Sequence, residues 1–245
     1  MSYAVGEVAL AATNTTTFPL AFPTQRRFSR GLIELTAGFT LILVVLWLPT
    51  RQQLIFGPIA LLTPLALTLI RWPGHEELGL GWRAWLRAWW IVPAAAGFTF
   101  VSVLVARGAG TFHSLYEPYF AHVGGYVVWT IYQQFLLQDF FMPRLRRMMS
   151  SDAAVATASG LFAAAHLPNL SLTLATLVWG VVSCLLFRRY RSLWALGLAQ
   201  GLLGVCFAIC VPNAMHHHMR VGLGYIRYHG VEATQVVGYH APAGR

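Results

Sequence analysis

LIFGPIALLTPLALTLI, residues 54–70, holds no charged side chain over a length that crosses a hydrocarbon core of about 30 Å as a helix. Just before it, GLIELTAGFTLILVVLWLP (31–49) has Glu34 as its one charge. These runs set the reading of the whole chain, whose 245 residues are 57% hydrophobic and 10% charged. A soluble domain carries about 25% charged residues, so an ordinary cytosolic enzyme is excluded. A mean hydropathy of +0.58 agrees. Working outward, apolar spans fall at 31–49, 53–70, 88–106, 119–142, 153–168, 170–187 and 192–212. The expected fold is an all-α polytopic bundle of about seven transmembrane spans. Residues 1–30 form a cytoplasmic tail, 31–212 the membrane domain and 213–245 an extracytoplasmic tail.

A net charge of +9 raises nucleic acid as a partner until the charges are placed. Every basic residue is an arginine. Arg26, Arg27 and Arg30 precede the first span, Arg71, Arg83 and Arg87 follow the second, Arg144, Arg146 and Arg147 follow the fourth, and Arg188, Arg189 and Arg191 follow the sixth. Arg51, Arg107, Arg220, Arg227 and Arg245 fall on the opposite side. This asymmetry puts the N-terminus in the cytoplasm and the C-terminus outside, in the inner membrane if the source is bacterial. The charge is topological, and no nucleic-acid partner is expected. Residues 1–30 lack a basic region followed by an apolar one, so no cleavable signal peptide is expected. Cys184, Cys206 and Cys210 fall within spans, where they act as small apolar residues. No repeat or extended low-complexity segment interrupts the domain.

Boundary features need no functional reading. WRAWLRAWW (82–90) sets Arg83 and Arg87 one turn apart among tryptophans, the pattern of an interfacial helix start. Arg30 lies four residues before Glu34 and is positioned to pair with it. Glu117 precedes the fourth span at headgroup level. His216, His217 and His218, with His229 and His240, mark the outer tail, where consecutive helical residues point about 100° apart and cannot share one ion. MRVGLGYIRYHG (219–230) is a candidate cap on the outer face.

Polar residues at membrane depth are costly unless they meet a partner or a water-filled cavity. YQQFLLQDFF (132–141) carries Gln133, Gln134, Gln138 and Asp139. GLFAAAHLPN (160–169) carries His166, and WALGLAQGLLG (194–204) carries Gln200. Gln134 and Gln138 share a helix face, with Gln133 about 100° away. Gln133 and Gln200 lie at similar depths and His166 about 7 Å deeper, a difference that helix tilt can remove, so three helices can bring these groups to one intramembrane cavity.

The order of these elements resembles the CPBP family of membrane proteins, which takes in type II CAAX prenyl endopeptidases and bacteriocin-processing proteins. The family's first motif, two glutamates and an arginine, is matched by Gln133, Gln134 and Gln138. Its Phe-x-x-x-His motif is intact as Phe162 and His166, continued by Leu167, Pro168 and Asn169. Its His-x-x-x-Asn motif is matched by Gln200 and Gly204. The resemblance spans about 88–212. It implies that the first glutamate and the histidine of the second motif activate water for peptide hydrolysis, with the third motif supporting the oxyanion.

Glutamine offers no basic carboxylate, and Gln200 no imidazole. Losing one general acid or base costs about 10² to 10⁴ in rate, so ordinary peptide hydrolysis is not expected at a normal rate. Asp139 is the one carboxylate well inside a central span. It serves either as a structural partner of Arg144 or Arg146 or as a substitute acid reaching His166, acting on a peptide or an isoprenoid chain. The glutamines stand as an altered enzymatic site, as hydrogen-bonding glue between helices, or as a non-catalytic binding or scaffolding site. No cofactor is expected, and His166 has no companions for a metal site. Expected partners are membrane lipids and a membrane-associated peptide, a prenylated protein or an isoprenoid substrate.

Overall fold

The computed structural model of the chain describes residues 25–71, 73–115 and 120–228. Glu117, His229, His240, Arg245 and the N-terminal residues 1–24 lie outside them. All regular secondary structure among the described residues is helical, with no strand among them. In chain order the helices are α1 (Gln25–Leu46), α2 (Thr50–Leu69), α3 (Trp82–Ala88), α4 (Ile91–Gly108) and α5 (Phe120–Phe135). A π-helical segment, Leu136–Phe141, then leads into α6 (Met142–Leu145). After it come α7 (Ser151–Ala164), α8 (Leu170–Tyr190), α9 (Leu193–Cys210), α10 (Asn213–His216) and α11 (Gly222–Ile226).

Each of the seven apolar segments read from the sequence is helical, with ends shifted by a few residues. Among the described residues, four helical stretches combine the length and apolarity needed to cross a membrane: Thr50–Leu69, Trp82–Gly108, Leu170–Tyr190 and Leu193–Cys210. The expected count of about seven is not reached by this measure. The 14 residues of α7 rise only about 21 Å, short of a hydrocarbon core. The α5 segment changes helical type before its end, and α1 carries charge in its first half. Large apolar side chains on several helices, among them Ile33, Leu54, Phe98 and Val178, are exposed, a surface that suits contact with hydrocarbon.

Local chemistry sets the helix starts. Ser150, Asn169 and Ser192 accept from the backbone N–H groups of Ala153, Leu172 and Ala195, capping α7, α8 and α9. The α2 helix continues through Pro58 and Pro64, which membrane helices tolerate. At the centre, α9 packs on both α4 and α5. Small residues permit this approach: a Cβ on Gly197 would lie 2.8 Å from the Cα of Ile131, and Thr130 Oγ1 donates to the Gly197 carbonyl at 2.9 Å.

At one end of the bundle Glu34 joins three segments. Arg30 Nε donates to it at 3.0 Å, as its four-residue spacing suggests, and Arg71 donates to the same carboxylate. Arg144 Nε reaches its second oxygen at 3.1 Å, while Arg144 Nη1 donates to the Phe140 carbonyl at 2.9 Å. The expected pairing of Asp139 with Arg144 or Arg146 is therefore corrected. Arg144 turns toward α1 and is taken by Glu34, Arg146 is exposed, and Asp139 is buried in the π-helical segment. Its Oδ2 has no hydrogen-bond partner among the described residues.

Beyond α9, residues 211–226 fold back as a cap. Asn169 Nδ2 donates to the carbonyls of His216 (2.8 Å) and Arg220 (3.1 Å), and Gly222 N–H donates to the Leu167 carbonyl at 2.9 Å. Asn169 thus starts α8 and fastens the cap with one side chain.

Candidate functional site

The α5 helix divides its polar residues between two faces. Tyr126, Trp129 and Gln133, spaced at i, i+3 and i+7, line a cavity of about 1260 Å³. Gln134 and, in the π-helical segment that follows, Gln138 point away from it and are buried, because their face packs against α8 and α9. The sequence reading places all five polar residues around one cavity; the 100° between Gln133 and Gln134 separates them instead. Of the expected site residues, Gln133, His166 and Gln200 line the cavity, together with Phe162 and Gly204 of the motifs. Asp139 is absent from the described lining, so the acid and the imidazole share no cavity wall.

The glutamines form one directed chain. Gln138 Nε2 donates to Gln134 Oε1 at 3.2 Å, Gln134 Nε2 to Gln200 Oε1 at 2.5 Å, and Gln200 Nε2 to Gln133 Oε1 at 2.5 Å. One residue sets the direction. Trp179 Nε1, which can only donate, lies 3.1 Å from Gln200 Oε1. The group of Gln200 facing that indole must be its carbonyl, so its NH₂ faces Gln133 and the other amides follow in turn. Ser183 Oγ and Cys184 Sγ lie 3.4 and 3.7 Å from Gln138 Nε2 at the buried end. At the other end Gln133 Nε2 has no partner among the described residues and belongs to a side chain on the cavity wall. Aligned amides polarise one another, which strengthens this terminal donor.

His166 is oriented by the backbone of its own motif. Its Nδ1 lies 2.8 Å from the Phe162 carbonyl, which can only accept, so Nδ1 carries a proton, and in the neutral imidazole Nε2 is then an acceptor. The Phe162 ring packs edge-on at 5.1 Å. The four-residue spacing of Phe162 and His166 is thus the spacing of a helical side-chain bond to the preceding turn. Nε2 has no protein partner among the described residues and is not among the sealed, unpartnered atoms, so it opens to the cavity.

Two site residues escape the motif reading. Trp179 belongs to none of the three motifs, and nothing in its local pattern marks it. Tyr126 lies seven residues before Gln133, two turns along the same face, and that spacing is a usable signal. Its hydroxyl fills the place beside Gly204, where an added Cβ would lie 1.8 Å from Tyr126 Oη. An asparagine at 204 and a tyrosine at 126 cannot occupy this arrangement together.

Apart from Ser102, Thr176 and His218, the rest of the cavity is largely apolar. Phe39, Trp90, Leu172 and Phe207 are typical of its wall, and no Arg, Lys, Asp or Glu is part of the described lining. Phe98 of α4 and Leu174 and Val178 of α8 belong both to this wall and to the exposed surface, so the cavity opens sideways among outward-facing apolar side chains. Among the described residues no three of His, Cys, Asp and Glu gather as a metal-ligand set.

A family model for type II CAAX prenyl endopeptidase Rce1-like proteins matches residues 38–206. That interval begins in α1 and ends in α9, and includes Gln133, Gln134, Gln138, Gln200 and His166. No curated protein and no solved structure matches the sequence.

Proposed function

Because the chain belongs to the type II CAAX prenyl endopeptidase Rce1-like family of membrane proteins, we propose that it has kept the family's cavity as a binding site and lost its hydrolytic chemistry. It takes an apolar chain, isoprenoid or peptide-linked, from the bilayer without cleaving it. The observation that carries this reading is the directed amide chain. Where the family resemblance implies glutamates, Gln134 is engaged at both ends of its amide and Gln133 offers the cavity a donor, not a base.

Peptide hydrolysis needs a group that accepts the proton of the attacking water and another that stabilises charge on the carbonyl oxygen. His166 Nε2 can accept a proton, but no carboxylate on the described cavity wall helps it. The loss of the base alone costs about 10² to 10⁴ in rate. Asp139 does not compensate from its buried position in the π-helical segment. The polar groups that remain are suited to hold the end of a ligand, and the sideways opening suits one that arrives within the membrane.

The arginine asymmetry supports an N-terminus in the cytoplasm, with 1–30 as a cytoplasmic tail, 213–245 outside and about seven crossings between. Short helices such as α7 then cross only part of the bilayer. In a bacterial source the membrane is the inner one.

The test is restoration. Gln133→Glu, Gln134→Glu, Gln138→Arg, Gln200→His and Gly204→Asn are combined with Tyr126→Ala, which clears the space beside residue 204. Cleavage of a farnesylated CAAX peptide is then compared with that of the natural chain in the same membranes. The restored protein is expected to cleave and the natural one not to. Equal cleavage by both would overturn the loss of hydrolysis.

A further inference from the structure

We propose that Arg30 and Arg71, held side by side on Glu34 where α1 meets the end of α2, form a binding site for the phosphodiester headgroup of an anionic phospholipid. None of these residues belongs to the described lining of the cavity, so the site is independent of what the cavity holds.

One shared atom fixes the arrangement. Arg30 Nε and Arg71 Nη2 both donate to Glu34 Oε1, so their guanidiniums are neighbours although they come from different helices. The second oxygen, Oε2, is taken by Arg144, which is buried and also donates to the Phe140 and Leu67 carbonyls. The single negative charge of Glu34 is needed most by that buried guanidinium, where an unpaired charge is costliest. Three guanidiniums against one carboxylate leave two positive charges over, and among the described residues no other carboxylate pairs with any of the three. Arg147, close enough to act on Arg144, adds to the surplus. Arg30 and Arg71 each spend one of five N–H donors on Glu34, and their side chains are 67% and 32% exposed, so donors remain within reach of a ligand.

Apolar surface continues directly from the pair. Ile33, one turn along α1 from Arg30, is 67% exposed, and Ile70, beside Arg71 in the chain, is 75% exposed. A phospholipid presents the same order, a charged phosphate and then hydrocarbon. Its non-bridging oxygens match the fork of a guanidinium, and two adjacent forks can share one phosphate. Basic pockets between membrane helices near the cytoplasmic surface bind anionic headgroups in this way. A zwitterionic lipid would bring a further cation to a cluster that already has an excess. A soluble phosphate would use the arginines and leave the isoleucines without a partner.

The experiment titrates the full chain in detergent micelles with phosphatidylglycerol or phosphatidylcholine and counts retained lipids by native mass spectrometry. The natural chain is expected to hold one phosphatidylglycerol at least about 5-fold more tightly than phosphatidylcholine, the value of one arginine against an anionic headgroup. Inorganic phosphate, equimolar with the lipid, should not displace it. Arg30→Gln and Arg71→Gln should each weaken that first phosphatidylglycerol about 5-fold. Arg83→Gln, which removes the same charge from an exposed arginine of α3 that has no bond to Glu34, should leave it within about 2-fold. Unfolding midpoints are read without added lipid. Arg30→Gln, at the more exposed partner, should keep the midpoint of the natural chain, so it carries the test if Arg71→Gln does not accumulate. A loss in Arg83→Gln equal to that in Arg30→Gln would reduce the site to diffuse attraction and overturn the proposal. Phosphatidylcholine held as tightly as phosphatidylglycerol, displacement by inorganic phosphate, or unchanged binding in Arg30→Gln would overturn it as well.

Discussion

Two polar clusters tie this bundle together, and they use opposite chemistry. At one end, three arginines converge on the carboxylate of Glu34. Deeper in, four neutral amides run head to tail from Gln138 to Gln133. Both join segments far apart in sequence. The ionic cluster binds tightly but carries uncompensated positive charge, which suits a membrane boundary where anionic headgroups and water lie close. The amide chain carries no net charge and satisfies most of its own donors and acceptors, which suits hydrocarbon depth. The comparison teaches that amides at 133 and 134 suit a different role from the glutamates that the family resemblance implies: on the proposed reading, they serve as parts of a polarised scaffold and deliver no charge to a substrate.

The largest effect should come from the ionic cluster. Glu34→Ala leaves the buried guanidinium of Arg144 with no carboxylate, and removing one partner of a buried pair costs about 3–5 kcal/mol. Unfolding in mixed detergent micelles should show that loss. Arg30→Ala, at an exposed partner of the same carboxylate, should cost about 0.5 kcal/mol or less. Equal losses in the two variants would remove Arg144 from the core of the cluster.

The amide chain should be weaker per bond. Gln134→Leu and Gln200→Leu should each destabilise by about 0.6–2 kcal/mol, as interhelical hydrogen bonds in membranes do. In a double-mutant cycle the double variant should lose less than the sum of the two, a coupling of similar size and opposite sign, because they share one bond. A coupling of zero would dissolve the chain into independent packing contacts.

The smallest expected effect lies in the cap formed by residues 211–226, beyond both clusters. Burial holds the His216 imidazole below the ordinary histidine range; His113 and His218 nearby push the same way, against its bond to the Val211 carbonyl. Its neutral form donates from Nε2 to that carbonyl at 2.9 Å and accepts the Met219 N–H at Nδ1. Since the folded pKa is depressed, the unfolded segment takes up the proton first. The contribution of His216 to the cap is therefore present above the unfolded value of about 6.5 and is lost as pH falls through the lower folded value. Amide protection over 211–226, corrected for the intrinsic pH dependence of exchange, should fall between pH 7.5 and 5.5, and the fall should shrink in His216→Gln. An unchanged profile in that variant would assign the acid response to another group.

Much of the architecture was legible in the sequence because hydrocarbon imposes simple demands. Residues 54–70 must be helical and apolar, and the helices found there and at 170–190 and 193–210 follow from that demand alone. The separation of Gln133 from Gln134 was also readable, since 100° per residue puts them on different faces. What the pattern could not supply was which face met the cavity and which met α8 and α9. Angular reasoning from an ideal helix likewise left Asp139 beside Arg144, while the chain has a π-helical segment there and a carboxylate from α1 takes the arginine. Trp179 was invisible because the donor-only character of one indole matters only once Gln200 stands opposite it. Tyr126 was nearly visible: its spacing from Gln133 was regular, but its significance depends on the missing side chain at Gly204 on another helix.

The central claim is that this cavity holds its ligand without hydrolysing it. The most direct measurement loads the natural protein in its membrane with a farnesylated CAAX peptide bearing a photoreactive group on the farnesyl chain. The complex is crosslinked after prolonged incubation, and the mass of the adduct is read. The expected adduct carries the intact peptide on a cavity residue from α5, α8 or α9. An adduct that carries only the shortened peptide, with the C-terminal tripeptide released into solution, would show that the enzyme still cuts and would contradict the account.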